Sequence, residues 1–501
     1  MKKTILSTIA IILSLTGLSQ DITFSMGEKG DRAGYDPTTI IVDKAISPGN
    51  YYSVEPNYSI FRKTKGIMVR EVTKDFSELH RVDIPNTKED EIYHVHRNGN
   101  QMNILIIHCD KKQYSLRHVA VDLLSFTITS DSLIIDKKIG KKVYPYDWLA
   151  ISPSGNYLAY IYAFVDEKND QSEVLAMVFD RSMKRRWQRF LPVRTISQIL
   201  VTDDGRLATA GHFNDIDNNT AVIEASISDS LNTRNAFFST KNVIGQLSLL
   251  NVYGDKLLMS ALECDKGIGW AGGFLSGFVV THGAVYTGFS TYLFDIGDSR
   301  VAGTESHTFD KEDARVFYNE SIMSRIISDD INLLSARAQL PLTNGGAVLY
   351  GRTWKEKTTR TSTGATSSTY HYMGMLLVKV DSTAHIVWTR PIMHSNGINA
   401  DFSESAETDI VSVDNDIILI TNESASEPET YEPNQAATGA FLISHGAIAA
   451  YRFSPEGNVT KKMLIDEGIN MIKTRLRLQD NGDFTFIVSN AKGRIAELSI
   501  K

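Results

Sequence analysis

Cysteine is nearly missing from this chain. The two that occur, Cys109 in "LIIHCDKK" and Cys264 in "SALECDKG", each close an apolar run and precede Asp-Lys. That shared ending places both at one structural position in two different repeats, beyond the roughly 7 Å between Cα atoms that a disulfide tolerates. Two free thiols are expected. A positive excess is missing too: 52 Lys and Arg stand against 59 Asp and Glu, for a net charge of -7. The chain therefore lacks the basic footprint of a nucleic-acid binder. Past the first residues no apolar run with flanking charges reads as a membrane span, so no integral membrane segment is expected.

Catalytic signatures are missing as well. There is no G-x-S-x-G elbow and no H-E-x-x-H helix, and no thiol with a convincing base nearby. The S-x-D-x-G-x-T-W box of sialidase-type enzymes does not occur. No catalytic residue, cofactor or metal is assigned from the sequence.

What is present begins with Lys2 and Lys3, followed by an apolar run over residues 5–18 and small residues at Gly17 and Ser19. The run is shorter than the roughly twenty residues that span a bilayer as helix, and it has the form of a secretory signal. Residues 1–19 are read as that signal and residues 20–501 as one exported domain, bound for the periplasm, the cell surface or the medium. No cysteine lies beside the cleavage point, so lipid attachment is not expected.

The remainder alternates in short apolar runs separated by Gly, Asn, Asp and Ser, the pattern of many antiparallel strands. One hairpin recurs: "ISPSGNYLAYIYAF", "VTDDGRLATAGHF", "LQDNGDFTFIVS" and the looser "NVYGDKLLMSAL", with turn glycines at Gly155, Gly205, Gly482 and Gly254. Glycine suits such turns because they need positive φ. A second unit recurs in "VFDRSMKRRWQR" and "KVDSTAHIVWTR". There Asp180 to Trp187 and Asp381 to Trp388 keep one spacing, and each Trp is followed two residues later by Arg.

"SPSGNYLAY" resembles the S-P-D-G-x-x-[IL]-A repeat of TolB-type propellers, and "KVDSTAHIVWTR" resembles the D-x-x-G-x-x-x-W unit of PQQ-like and related secreted bacterial propellers. Thr383 and Ala384 stand where the second family has its turn glycine. The resemblance covers short segments of four repeats. It implies an all-β fold, a single β-propeller whose blades are four-stranded meanders, and transfers no function.

Unit starts fall near Asn50, Glu91, Tyr146, Ile196, Ile244, Ile331, Thr408 and Met471, which favours eight blades, with seven as the alternative. The last unit holds three strands, so the ring is expected to close with an N-terminal strand such as "TIIVDKAI", residues 39–46.

Gly267, Gly269 and Gly272 in "CDKGIGWAGGFLSG" have the G-x-G-x-x-G spacing of a dinucleotide cradle. That motif needs a helix after it, and the glycine-rich segment that follows makes a poor one. Its echo carries more: "GFVVTHGAV" (277–285) and "AFLISHGAI" (440–448) share one pattern in the enlarged second hairpins of units five and seven. Unit six carries the insertion "KEKTTRTSTGATSSTYHYMGM" at the equivalent place. Enlarged loops are thus expected at about 264–290, 355–375 and 422–440.

The uncharged run 267–294 supplies Trp270, Phe274 and Phe278. His282, His371 and His445 lie in the same three insertions, without the neighbouring ligands of a recognisable zinc site. These six residues are the candidate partner-binding set, either as an exposed contact surface or as a lid of loops packed on one another. "NDIDNNT" sets Asp215, Asp217 and Asn219 like the start of a calcium loop but lacks its glycine and final glutamate, and reads as a polar hairpin. The function expected is a non-catalytic binding or scaffold module for a protein or glycan. The competing class is a carbohydrate-active or other hydrolytic enzyme with paired carboxylates at the mouth of the channel.

Overall fold

The structure is a computed structural model. It describes residues 22–26, 40–58, 64–74, 77–85, 90–110, 112–139, 143–166, 171–215, 217–264, 286–309, 335–360, 366–399, 409–413, 415–424, 446–469, 472–473, 477–478, 484–489 and 493–500. Among these residues every regular element is a strand. No helix is long and apolar enough to cross a membrane among the described residues. The signal segment 1–19 and Gly482 lie outside them.

The strands form eight sheets among the described residues, seven of them four-stranded and antiparallel with their strands in chain order. The first to seventh sheets span residues 40–85, 90–138, 143–190, 198–240, 243–308, 335–399 and 409–469. The terminal sheet joins both ends of the chain: Ile22–Met26 pairs antiparallel with Gly493–Ile500, from Ile22 opposite Ile500 to Met26 opposite Ala496. The last unit thus has its N-terminal strand, but residues 39–46 do not supply it. Ile40–Lys44 instead pairs with Asn50–Tyr58 and opens the first sheet, ten residues before the expected start at Asn50. The five residues between those strands end at Gly49, with φ of +83°. So short a loop closes at far less entropic cost than pairing with the other end of the chain.

Within the insertion expected at 355–375, residues 355–360 and 366–375 are strand, and residues 361–365 lie outside the described residues. Ala347–Arg360 and Thr366–Val380 run as one ladder, out to Arg360 opposite Thr366.

Six apolar clusters knit the seven sheets pairwise in chain order. Tyr52 and Val69 meet Ile104 and Val119 between the first and second sheets. Leu105 and Leu116 meet Tyr160 and Met177 between the second and third. Equivalent clusters join third to fourth, fourth to fifth, fifth to sixth and sixth to seventh. A strand inside such a stack buries both faces, which is why "NILII" and "LLMSAL" are apolar at successive positions rather than at alternate ones.

The Trp-x-Arg unit is a clasp between sheets. From the outer strand of the third sheet, the Trp187 indole donates to the Gly205 carbonyl of the fourth at 2.9 Å, and Arg189 donates to Ser230 at 3.3 Å. From the sixth sheet, Trp388 donates to the Pro455 carbonyl of the seventh at 3.2 Å, and Arg390 to that of Gly457 at 2.6 Å. The turn of each unit takes a left-handed residue at the same place, Met183 at φ 62° and Ala384 at φ 70°. Glycine is the residue that adopts this conformation without strain. Because Ala384 is fully buried and loses only a methyl group, Ala384→Gly is expected to raise stability by up to about 1 kcal/mol, as strain relief outweighs lost burial. A urea midpoint unchanged or lowered in that variant refutes the balance.

Cys109 and Cys264 each end the second strand of their sheet, the second and the fifth, and both are free. Asp215 caps its own turn by accepting from Asn218 at 2.8 Å, which is the work of a polar hairpin.

Candidate docking face

In a four-stranded meander the first and third turns share one end, while the second turn and the exit to the next sheet share the other. The first and third turns of successive sheets touch in sequence. His96 of the second sheet bonds the Arg181 carbonyl in the third turn of the third sheet at 2.9 Å. Ser154 in the first turn of the third sheet donates to Asp203 of the fourth at 2.5 Å. Arg206 of the fourth donates to the Gly254 carbonyl of the fifth at 2.8 Å, and the Tyr253 hydroxyl of the fifth donates to the Ser382 carbonyl of the sixth. Lys379 of the sixth reaches the Pro455 carbonyl of the seventh at 3.0 Å. These turns therefore occupy one end of the molecule. The ends of the second strands and the starts of the third strands of the fifth, sixth and seventh sheets, between which the insertions fall in the sequence, lie towards the opposite end.

Among the described residues the sixth sheet projects furthest there. Its second, third and fourth strands have 14, 15 and 14 residues, whereas the second strands of the fifth and seventh sheets have 9. Five extra residues at roughly 3.3 Å each carry the strands about 16 Å further. Among the described residues the first strand of the sheet accompanies them as far as Ser335, which pairs with Arg352. Beyond that point residues 353–360, 366–374 and 393–399 form a three-stranded arm, held as far as Thr369 opposite Asn399.

Of the six candidate residues, His371 is the one whose backbone is described. It sits in the arm between Lys355 and Gly397. Trp270, Phe274, Phe278, His282 and His445 lie outside the described residues, as do the glycines of the G-x-G-x-x-G stretch. Both flanks of the two remaining insertions are in place, because residues 265–285 and 425–445 connect second to third strands of the fifth and seventh sheets.

A second polar feature escaped the sequence. Asp147, on the first strand of the third sheet, accepts from the Tyr114 hydroxyl at 2.9 Å and the Tyr160 hydroxyl at 3.2 Å, and those two hydroxyls bond each other. Burial raises the Asp147 carboxyl above the ordinary carboxylate range and pushes both phenols up. Its partners are phenols drawn from two sheets, an arrangement that ties the second sheet to the third. A glycosidase instead needs two carboxyls set apart across a substrate bond. The thiols are equally quiet: burial raises Cys109, helped by the negative charges of Asp147, Asp110 and Glu91, and burial pushes Cys264 up to about 12. A thiol is nucleophilic only as thiolate, so neither is activated.

The class these observations define is a repeat protein of four-stranded antiparallel meanders, of the kind seen in propellers, with one end enlarged by hairpin insertions. No family model matches the sequence, and no curated protein matches it. Among solved structures it is similar to the β-propeller domain of the Trilobed protease from Pyrococcus furiosus, at 10% identity over 86% of this chain and 97% of that one, with a TM-score of 0.34. It is also similar to Chaetomium thermophilum Sqt1 bound to the N-terminus of ribosomal protein L10, at 9% identity over 91% and 96% of the two chains, with a TM-score of 0.37. Acylaminoacyl peptidase from Pyrococcus horikoshii matches at 11% identity over 81% of this chain and 52% of that one, with a TM-score of 0.34. The fold described above rests on the chain's own strand pairing and not on these likenesses.

Proposed function

We propose that the protein is an exported eight-bladed β-propeller that acts as a non-catalytic binding module, holding a protein or glycan partner on the end that carries the arm. Ring closure is supported by the terminal sheet, which adjoins the seventh sheet through Ile472–Lys473 against Asp416–Ser424. It adjoins the first sheet through Arg477–Leu478 and Phe484–Ser489 against Ile40–Lys44. Export is supported by the N-terminal pattern of Lys2, Lys3 and the apolar run after them.

The observation that carries the binding role is the arm itself. A paired extension of the sixth sheet has its backbone ordered by hydrogen bonds before any partner arrives. Preorganisation of that kind lowers the ordering cost of association. Trp270, Phe274, Phe278, His282, His371 and His445 belong to the insertions at this end and form the proposed contact set.

The test is a chain lacking residues 357–368, with the shortened hairpin closed by Asn-Gly. Its thermal midpoint is expected to stay within a few degrees of the parent, because a change well under 1 kcal/mol moves a midpoint little. Its capture of partner from the envelope of the source cells is expected to fall at least tenfold, equivalent to about 1.4 kcal/mol of lost binding. Equal capture by both chains removes the arm from the function. Hydrolysis of a glycan or peptide library by the parent chain overturns the non-catalytic reading.

A further inference from the structure

On one face of the second sheet lies a cavity of about 200 Å³, lined by Asp90, Ile106, His108, Gln113, Ser115 and Arg117. The strand register builds it. Asp90, His108 and Ser115 stand directly opposite one another on three adjacent strands, and Ile106 opposite Arg117 forms the next row on the same face.

The charges in this lining already have partners. His108 Nδ1 lies 2.7 Å from Asp90 Oδ1. Arg117 donates through Nε and one Nη to the two Asp131 oxygens at 2.7 and 2.6 Å, and through the other Nη to the Pro85 carbonyl at 2.8 Å. A charged ligand would have to break one of these pairs or leave its own charge half-buried without a counterion, which is costly.

Neutral hydrogen-bonding capacity is what the lining adds. The guanidinium has five N–H groups, of which three are engaged in those bonds, so two are left to donate. Gln113 spends an amide N–H on Asp136 at 2.7 Å, which leaves its amide oxygen as an acceptor. The Ser115 hydroxyl donates and accepts. Among the described residues Ile106 is the sole apolar side chain of the lining, and none of them offers an aromatic platform to a planar base. The volume is below the roughly 300–1,000 Å³ of sites for drug-sized molecules and suits a single ring.

We propose that this cavity binds one neutral sugar unit. Arg117 donates to its hydroxyls, the Gln113 amide oxygen accepts from them, and Ser115 does both. The site is separate from the arm and does not rest on the docking role proposed for it.

Saturation-transfer NMR on the full chain tests this, with the methyl glycosides of glucose, galactose, mannose and N-acetylglucosamine as probes and glucuronic acid and glucosamine as charged comparators. Saturation is expected on at least one neutral glycoside, with millimolar affinity, and it should disappear for a deoxy analogue of that glycoside. Binding is expected to weaken tenfold or more in Gln113→Ala and in Ser115→Ala while the unfolding midpoint of Gln113→Ala, a half-buried position at the start of its strand, holds. The arm-deleted chain should bind the sugar as the parent does. No saturation on any neutral glycoside, preference for a charged comparator, or unchanged binding in both variants overturns the proposal.

Discussion

Trp388→Ala is expected to lower the unfolding free energy by about 3–5 kcal/mol, the range for deleting a large aromatic from a core. The side chain is 5% exposed and stacks on Phe453 of the next sheet, with ring centroids 5.7 Å apart and planes 15° from parallel. Its indole N–H bonds the Pro455 carbonyl, and Arg390 lies over the ring at 6.0 Å. Gly457, at φ of +84°, has no Cβ because one would meet the indole at 2.8 Å. Alanine leaves a cavity where the sixth sheet meets the seventh and strands the Arg390 contact. Trp187→Ala should cost less, since Trp187 is only half-buried. Urea denaturation compares the two, and a Trp388→Ala loss below about 1 kcal/mol contradicts the clasp, since that is no more than a typical surface change.

Acid is expected to remove several kcal/mol of stability between pH 6.5 and about 4. Burial holds the His212 imidazole down at about 4, and burial with the neighbouring charge of His96 does the same to His118. In that window the unfolded chain binds protons that the folded chain refuses. The stabilisation is therefore complete above pH 6.5 and is lost as pH falls towards 4. For His212, which is 9% exposed, the displacement from 6.5 to about 4 corresponds to about 3 kcal/mol. Asp147 and Glu224, both raised by burial, act in the opposite sense and gain stability as pH falls. The difference between parent and His212→Gln isolates the histidine: their stabilities should converge by about 3 kcal/mol as pH falls from 7 to 4. Parallel profiles would show that His212 does not titrate as a buried base.

Much of the repeat was legible before any coordinates. Gly155, Gly205 and Gly254 announced hairpin turns and have positive φ. The spacing from Asp381 to Trp388 announced a recurring unit, and its left-handed residue falls at Ala384, in the stretch where the resembling family has its turn glycine.

What pairing over distance decides was not legible. Ile22–Met26 is five residues long, and its partner is at the other end of the chain. The segment 355–375 reads as loop because Thr, Ser and Lys dominate it, yet its residues 355–360 and 366–375 are paired, since backbone pairing needs no apolar alternation once neighbouring strands continue beside it. Asp147 meets Tyr114 and Tyr160, and Asp90 meets His108 and Ser115, only through register. The one local trace of the first cluster is a single carboxylate in the aromatic run "YPYDW".

The central claim is that partners are held at the arm end of the ring. Photo-cross-linking in the source cells tests it most directly, with a benzophenone amino acid placed at Thr359 in the arm or at Thr383, in the third turn of the same sheet at the opposite end. The account predicts a defined covalent adduct from position 359 and none from position 383. Adducts from 383 with none from 359 would contradict it and move the functional surface to the other end of the ring.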